Sequence, residues 1–279
     1  MFPFFDTHEA SSLRLVCREL KQAVADFPWE DMDTVIRGSI ALWRECFPRA
    51  RGANISERHT AVMDGDFVHF VGLRALNMSG CRQVTDAAFL HLRGIERLIM
   101  DCCDQATITD AAFVHLGGIQ ELDLSGCNQA TITDAAFAHL VGIQRLSIWG
   151  CSQATITDAA FVHLKGIKVL NMGSCRQLTD AAFEHLKGIH ALLMWNCNQA
   201  TITDVAFEQL QGIHSLVMEG CTQDTITGAG LEHLKGISWL GMFCCTDEAI
   251  AAAESLGLPV ARRVYTRYGA FDTSFVELE

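Results

Sequence analysis

No run of about 18 apolar residues occurs in this 279-residue chain, so no membrane span is expected. Positive charge is in short supply: 21 Lys and Arg stand against 33 Asp and Glu, for a formal net charge of -12. That balance disfavours nucleic acid and anionic membrane surfaces as partners, because like charge repels them before contact. The opening stretch, MFPFFDTHEASS, has neither a basic start nor an apolar segment of secretory length. A reducing, intracellular compartment, cytoplasm or nucleus, is expected. The chain holds 12 Cys but no C-x-x-C pair, and so lacks the close spacing of a zinc site. G-x-S-x-G, Walker A and H-E-x-x-H motifs are missing too. No metal, no cofactor and no enzyme activity are expected.

Repetition is what the chain has in plenty. Cys81, Cys103, Cys127, Cys151, Cys175, Cys197, Cys221 and Cys245 follow one another at steps of 22, 24, 24, 24, 22, 24 and 24 residues. The short steps follow Cys81 and Cys175, where CRQVTD and CRQLTD replace longer versions such as CNQATITD. A fixed period of this length marks a solenoid. Within one unit, Ile167 to Cys175 alternates apolar residues around Leu170 and Met172, which predicts a short strand with one buried face. Asp158 to Leu164 predicts a short helix, with Thr157 or Asp158 as its cap and Gly166 as its stop. One such unit cannot bury a core by itself. Stacked copies can, strand beside strand in a parallel sheet.

Ladder Cys, recurring at one position, are expected to be small buried residues rather than disulfide partners. Cys102 and Cys244 each precede a ladder Cys and are expected to be exposed and open to oxidation. The His column (His91, His115, His139, His163, His185 and His233) falls on helices that pack about 8–10 Å apart, too far for one metal to bridge.

The unit resembles the cysteine-containing leucine-rich repeat. The family's L-x-x-L-x-L-x-x-C with an I-T-D helix start stands here as Ile119, Leu122, Leu124 and Cys127, then Ile132, Thr133 and Asp134. Met takes the third Leu position in several rungs, Gly228 replaces one helix-start Asp, and Gln209 one His. The resemblance implies an α/β fold: a right-handed leucine-rich-repeat solenoid with a parallel concave sheet, convex helices and a short helical N-terminal module. Residues 1–30 are the N-terminal module, 31–260 the solenoid and 261–279 a tail offering cover for the open sheet edge. The solenoid divides into irregular first rungs at 31–62, with a strand at 34–36, a helix at 39–47 and a strand at 53–55. Regular repeats follow at 63–245, then a last helix at 246–257.

Residues 7 to 24 place Leu13, Val16, Cys17, Leu20 and Val24 at helical spacing, predicting an amphipathic helix ended by Pro28. The stretch resembles the later part of an F-box, through Phe5-Asp6, Leu15-Val16-Cys17-Arg18 and Trp29. The family's preceding L-P-x-E stretch has no counterpart in MFPF. The resemblance implies docking to the Skp-type adaptor of a cullin-RING ubiquitin ligase, with Phe5, Leu15, Val16 and Leu20 as contacts. Alternatively, these helices only cap the first rung.

Strand positions that point away from the repeat core are free of its architecture, and three of the five Trp lie there. Arg97, Asp101, Glu121, Asp123 and Arg145 charge the early rungs, while Trp149, Leu193, Trp195, Val217, Trp239 and Phe243 line the later ones. Exposed aromatics on a concave face are costly in water and typical of binding hot spots. These residues are expected to hold a protein target, with the three Trp as anchors that leave the fold's stability nearly untouched. The alternative is that the Trp pack on one another. The expected function is a protein-binding substrate receptor of an SCF-type ligase, acting as a monomer, or else a stand-alone interaction scaffold. A GTPase-activating solenoid would share the architecture alone.

Overall fold

A computed structural model describes residues 5–56 and 61–261. The expected role of the tail as an edge cover therefore lies outside the described residues, apart from Ala261. Ten strands build one parallel sheet in strict chain order. They are β1 (Gly52–Asn54), β2 (Ala75–Asn77), β3 (Arg97–Ile99), β4 (Glu121–Asp123), β5 (Arg145–Ser147), β6 (Val169–Asn171), β7 (Ala191–Leu193), β8 (Ser215–Val217), β9 (Trp239–Gly241) and β10 (Val260–Ala261). Their register stacks equivalent residues: Leu76 beside Leu98, Leu98 beside Leu122, and so on to Leu240. The expected strand at 34–36 is reduced to a single bridge between Val35 and Asn54.

Opposite the sheet runs a file of helical turns of four to seven residues, such as Asp134–Phe137 and Asp158–Leu164. From Thr85 to Thr227 a Thr is the cap of each turn: the Thr157 hydroxyl accepts the Ala159 N–H at 3.2 Å. The same Thr157 donates its amide N–H and its hydroxyl to the two oxygens of Asp134, one rung earlier, both at 2.7 Å. This Asp–Thr exchange repeats from Asp64–Thr85 to Asp204–Thr227 and then stops, because Gly228 has no carboxylate. Each turn ends on a glycine with positive φ, Gly166 at 89° for example, where a side chain would be strained. Helical turns are wider than the roughly 4.8 Å between strands, so the sheet takes the inside of the curve.

Between the layers lies one continuous core. Phe89, Phe113, Phe137, Phe161, Phe183 and Phe207 form its spine, with the strand Leu and Met residues against them. The ladder Cys complete it. Each sulfur faces a backbone carbonyl of the previous rung, as Cys175 Sγ does Ile148 O at 3.0 Å. All 12 cysteines are free. Burial pushes the ladder thiols from Cys103 to Cys245 up, Cys197 to about 12, so they stay protonated as small apolar donors.

The residue before each ladder Cys turns the chain with positive φ, glycine in four rungs but Cys102, Ser174, Asn196 and Cys244 in the others. Cys102 and Cys244 are thus turn residues and exposed, as expected. Ready oxidation does not follow for Cys102. Partial burial, then Asp101 and Asp104, push its thiol up and withdraw the reactive thiolate.

The single N-terminal helix expected from spacing is two: α1 (Thr7–Leu13) and α2 (Arg18–Asp26). Cys17 is not on a buried stripe but is the extended N-cap of α2, and Val16 is exposed with it. The break lets both helices reach the solenoid, since Ala10 of α1 and Val24 of α2 are each fully buried. Trp29 seals this end. It is buried edge-on between Phe27 and Phe47, and its indole N–H donates to Val24 O at 2.8 Å. A helix at Ile40–Cys46 supplies Trp43 to the same core. The last helix, Asp247–Ser255, is capped by Thr246.

Candidate functional site

Side chains leaving the sheet on its inner side separate into two halves. From β6 to β9 they form a second apolar cluster, distinct from the main core: Val169, Ala191, Leu193 and Val217, with Trp195 and Trp239 packed on it. Here the structure corrects an expectation. Leu193 and Val217 are each 1% exposed, so they are a floor under the indoles rather than contact residues. The alternation that aims them off the main core holds, but Trp195 and Trp239 pack over the cluster and cover them.

Above that floor stands an aromatic ridge. Trp149 is 39% exposed and Phe243 48%, while Trp195 and Trp239 are half-buried. Trp149 and Trp195 belong to alternate rungs yet bring their ring centroids within 6.2 Å. Gly173, on the rung between them, makes the approach possible: a Cβ there would lie 2.9 Å from Trp149 Cδ1. The Trp residues thus do pack on one another, and Trp195 and Trp239 also shield part of the fold. The expectation that all three leave stability untouched does not survive for these two.

The earlier half is charged and largely self-satisfied. Glu121 sits between Arg97, at 2.9 Å, and Arg145, at 3.6 Å. Asp101 is half-buried at the exit of its strand. Asp123 departs from its expected role at the surface: it is only 5% exposed. Its Oδ1 accepts the Ser125 N–H at 2.9 Å and the Ser125 hydroxyl at 2.5 Å, closing the turn after β4. Burial pushes its carboxyl up to about 6 despite those bonds, and Asp101 and Glu121 add to the rise. Asn54, Asn77 and Asn171 make the same amide contact two residues on, so this position belongs to the turn and not to a free face.

At the N-terminal module, Leu15 is 88% and Val16 69% exposed, side by side in the turn between α1 and α2. Phe5 is exposed, and Leu20 is half-buried. The four residues named for adaptor contact thus differ: three are accessible, and Leu20 turns partly inward. Among the described residues, no group of three or more His, Cys, Asp or Glu could hold a metal. No described helix is long and apolar enough to cross a membrane.

Two features were not singled out as site residues from the sequence. Glu219 stands between Trp195 and Phe243 in the ridge column, where the repeat register could have flagged it. His190 and His214, at the mouths of β7 and β8, stack with ring centroids 4.5 Å apart. Their spacing of one repeat was the available signal.

No family model matches the chain, and no curated protein matches it. Solved structures do. TLR13, in a TLR13–ssRNA13 complex, is 17% identical with a TM-score of 0.57, over 75% of this chain and 32% of that one. Internalin C2 of Listeria monocytogenes is 19% identical with a TM-score of 0.50, over 72% of this chain and 84% of that one. Human 5T4, the trophoblast glycoprotein, is 19% identical with a TM-score of 0.50, over 62% of this chain and 70% of that one. The present chain therefore spans about a third of the length of the TLR13 chain. Identities this low speak to the fold alone. Together with ten parallel strands backed by short helices, they define the class: an α/β leucine-rich-repeat solenoid.

Proposed function

We propose that this chain binds a protein on the inner face of its sheet, as the substrate-recognition subunit of a cullin-RING ubiquitin ligase. The aromatic ridge carries the first half of that reading. Trp149 and Phe243 keep large apolar area in water above an already closed apolar floor, an arrangement that gains only when a partner covers it. The exposed pair Leu15-Val16 carries the second half, as the contact offered to a Skp-type adaptor along with Phe5 and part of Leu20. Two neighbouring branched apolar side chains in a turn serve no core of their own. Nothing in this reading requires catalysis by the chain. A net charge of -12 argues against extending the RNA of the TLR13 complex to this protein. Eight ladder thiols set against carbonyls suit a reducing compartment, and on this reading the protein acts in cytoplasm or nucleus, as a monomer.

A second reading has its own observation. Ala10, Val24 and Trp29 belong to the same buried cluster as the repeats, so the N-terminal helices already serve as a lid on the first rung. On that reading the protein is a scaffold without a ligase. Co-expression with a Skp-type adaptor separates the two. The ligase reading expects a stable complex with the intact chain and its loss in a Leu15→Asp, Val16→Asp variant that melts at the wild-type temperature. An intact chain that elutes alone leaves the scaffold.

A further inference from the structure

Glu219 follows β8 on the inner face, and no basic side chain among the described residues pairs with its carboxylate. Backbone bonds from Asn196 N to Glu219 O and from Gly220 N to Phe243 O, at 2.7 and 2.9 Å, hold three rungs in step. Trp195, Glu219 and Phe243 therefore follow one another in a single column, at about 4.8 Å per rung. One oxygen of Glu219, Oε1, is buried without a hydrogen-bond donor among the described residues. On the preceding rung, the buried indole N–H of Trp195 has no acceptor among the described residues. Desolvation accordingly pushes the Glu219 carboxyl up. The contrast with Glu121 on the same face is sharp, for that acid is held between Arg97 and Arg145.

A half-buried acid with one oxygen shut away from water and from any described donor costs free energy that an incoming cation recovers. Trp195 and Phe243, on the rungs to either side, offer π-clouds that attract a cation. A lone carboxylate among indole and phenyl rings lacks the several oxygen ligands that a hard metal ion needs, so an organic cation is the better fit. The chain's acidic balance draws such a partner in. We propose that the ridge receives a lysine or arginine side chain of the bound protein segment, its charge against Glu219 and its stem against Trp195 and Phe243. The inference rests on the inner face being the partner site.

The test uses the full chain and capped Leu-flanked peptides that carry Lys, Arg or norleucine at one position, read by quenching of tryptophan fluorescence. The Lys and Arg peptides are expected to bind about tenfold tighter than the norleucine peptide, as an ion pair of about 1.4 kcal/mol gives. Glu219→Gln should erase that preference, and Glu184→Gln on the helical side should keep it. Equal binding of all three peptides, lost in Trp195→Ala, overturns the cation assignment and leaves the face as a peptide site. Absence of quenching by any of them overturns both. Binding that emerges only after Arg262, Arg263 and Arg267 are changed to Gln makes the chain's own tail the occupant and overturns the partner assignment.

Discussion

Asp123→Asn should stabilise the fold increasingly as pH rises. The folded carboxyl titrates near 6, above its ordinary 3.8, chiefly because it is buried. A raised carboxyl means that the folded chain holds its proton where the unfolded chain has lost it. Its contribution is therefore intact below 3.8 and is lost as pH climbs through 6. At about 1.4 kcal/mol per pH unit of displacement, the loss by pH 8 is of order 3 kcal/mol. Asn has the same shape, keeps Oδ1 for the Ser125 N–H, and cannot ionise. Asn77 and Asn171 already make that contact in their own rungs, at 3.1 Å each. Urea unfolding of both proteins at pH 4 and pH 8, followed by circular dichroism, measures the gap. The stability advantage of the variant should widen by about 2–3 kcal/mol between the two. A gap that stays constant within about 0.5 kcal/mol, the usual effect of a neutral surface change, would refute the account of Asp123 as a buried acid.

Three further outcomes follow from the same geometry. Asp134→Ala removes both acceptors of Thr157 and should cost about 1–3 kcal/mol in urea unfolding, with a double-mutant cycle against Thr157→Ala showing coupling; independence would mean that the ladder contributes nothing. Gly228→Ala and Gly230→Ala should shift the melting temperature in opposite directions. A Cβ at Gly228 meets Ala252 Cβ at an ordinary 3.4 Å and should gain about 0.5–1 kcal/mol, whereas one at Gly230 lies 2.9 Å from Asp204 Cα and overpacks. Gly173→Ala should push Trp149 away from Trp195 and weaken the near-ultraviolet dichroism of the pair; an unchanged spectrum would show that Gly173 does not set their approach.

Where sequence reading succeeded, one spacing settled one partner. The Cys ladder, the Phe spine and the glycine stops recur at the repeat period, and stacking turns each recurrence into a column. Where it failed, the outcome depended on contacts between columns. Leu193 and Val217 point off the main core as alternation requires, yet Trp195 and Trp239, contributed by other positions, cover them. Asp123 is outward by alternation too, but a hydroxyl two residues later draws it into a turn. The helix expected over residues 7 to 24 is broken between Leu13 and Arg18, where Cys17 turns extended and caps the second helix, so that Ala10 and Val24 are both buried.

By itself, then, the order of residues determined the period, the layer each residue type occupies and the fold class, because these follow from local propensity and strict repetition. Only the tertiary structure decided which inner-face residues remain accessible, which acid is paired and which is not. Those depend on the size of side chains one and two rungs away, and no single repeat carries that information.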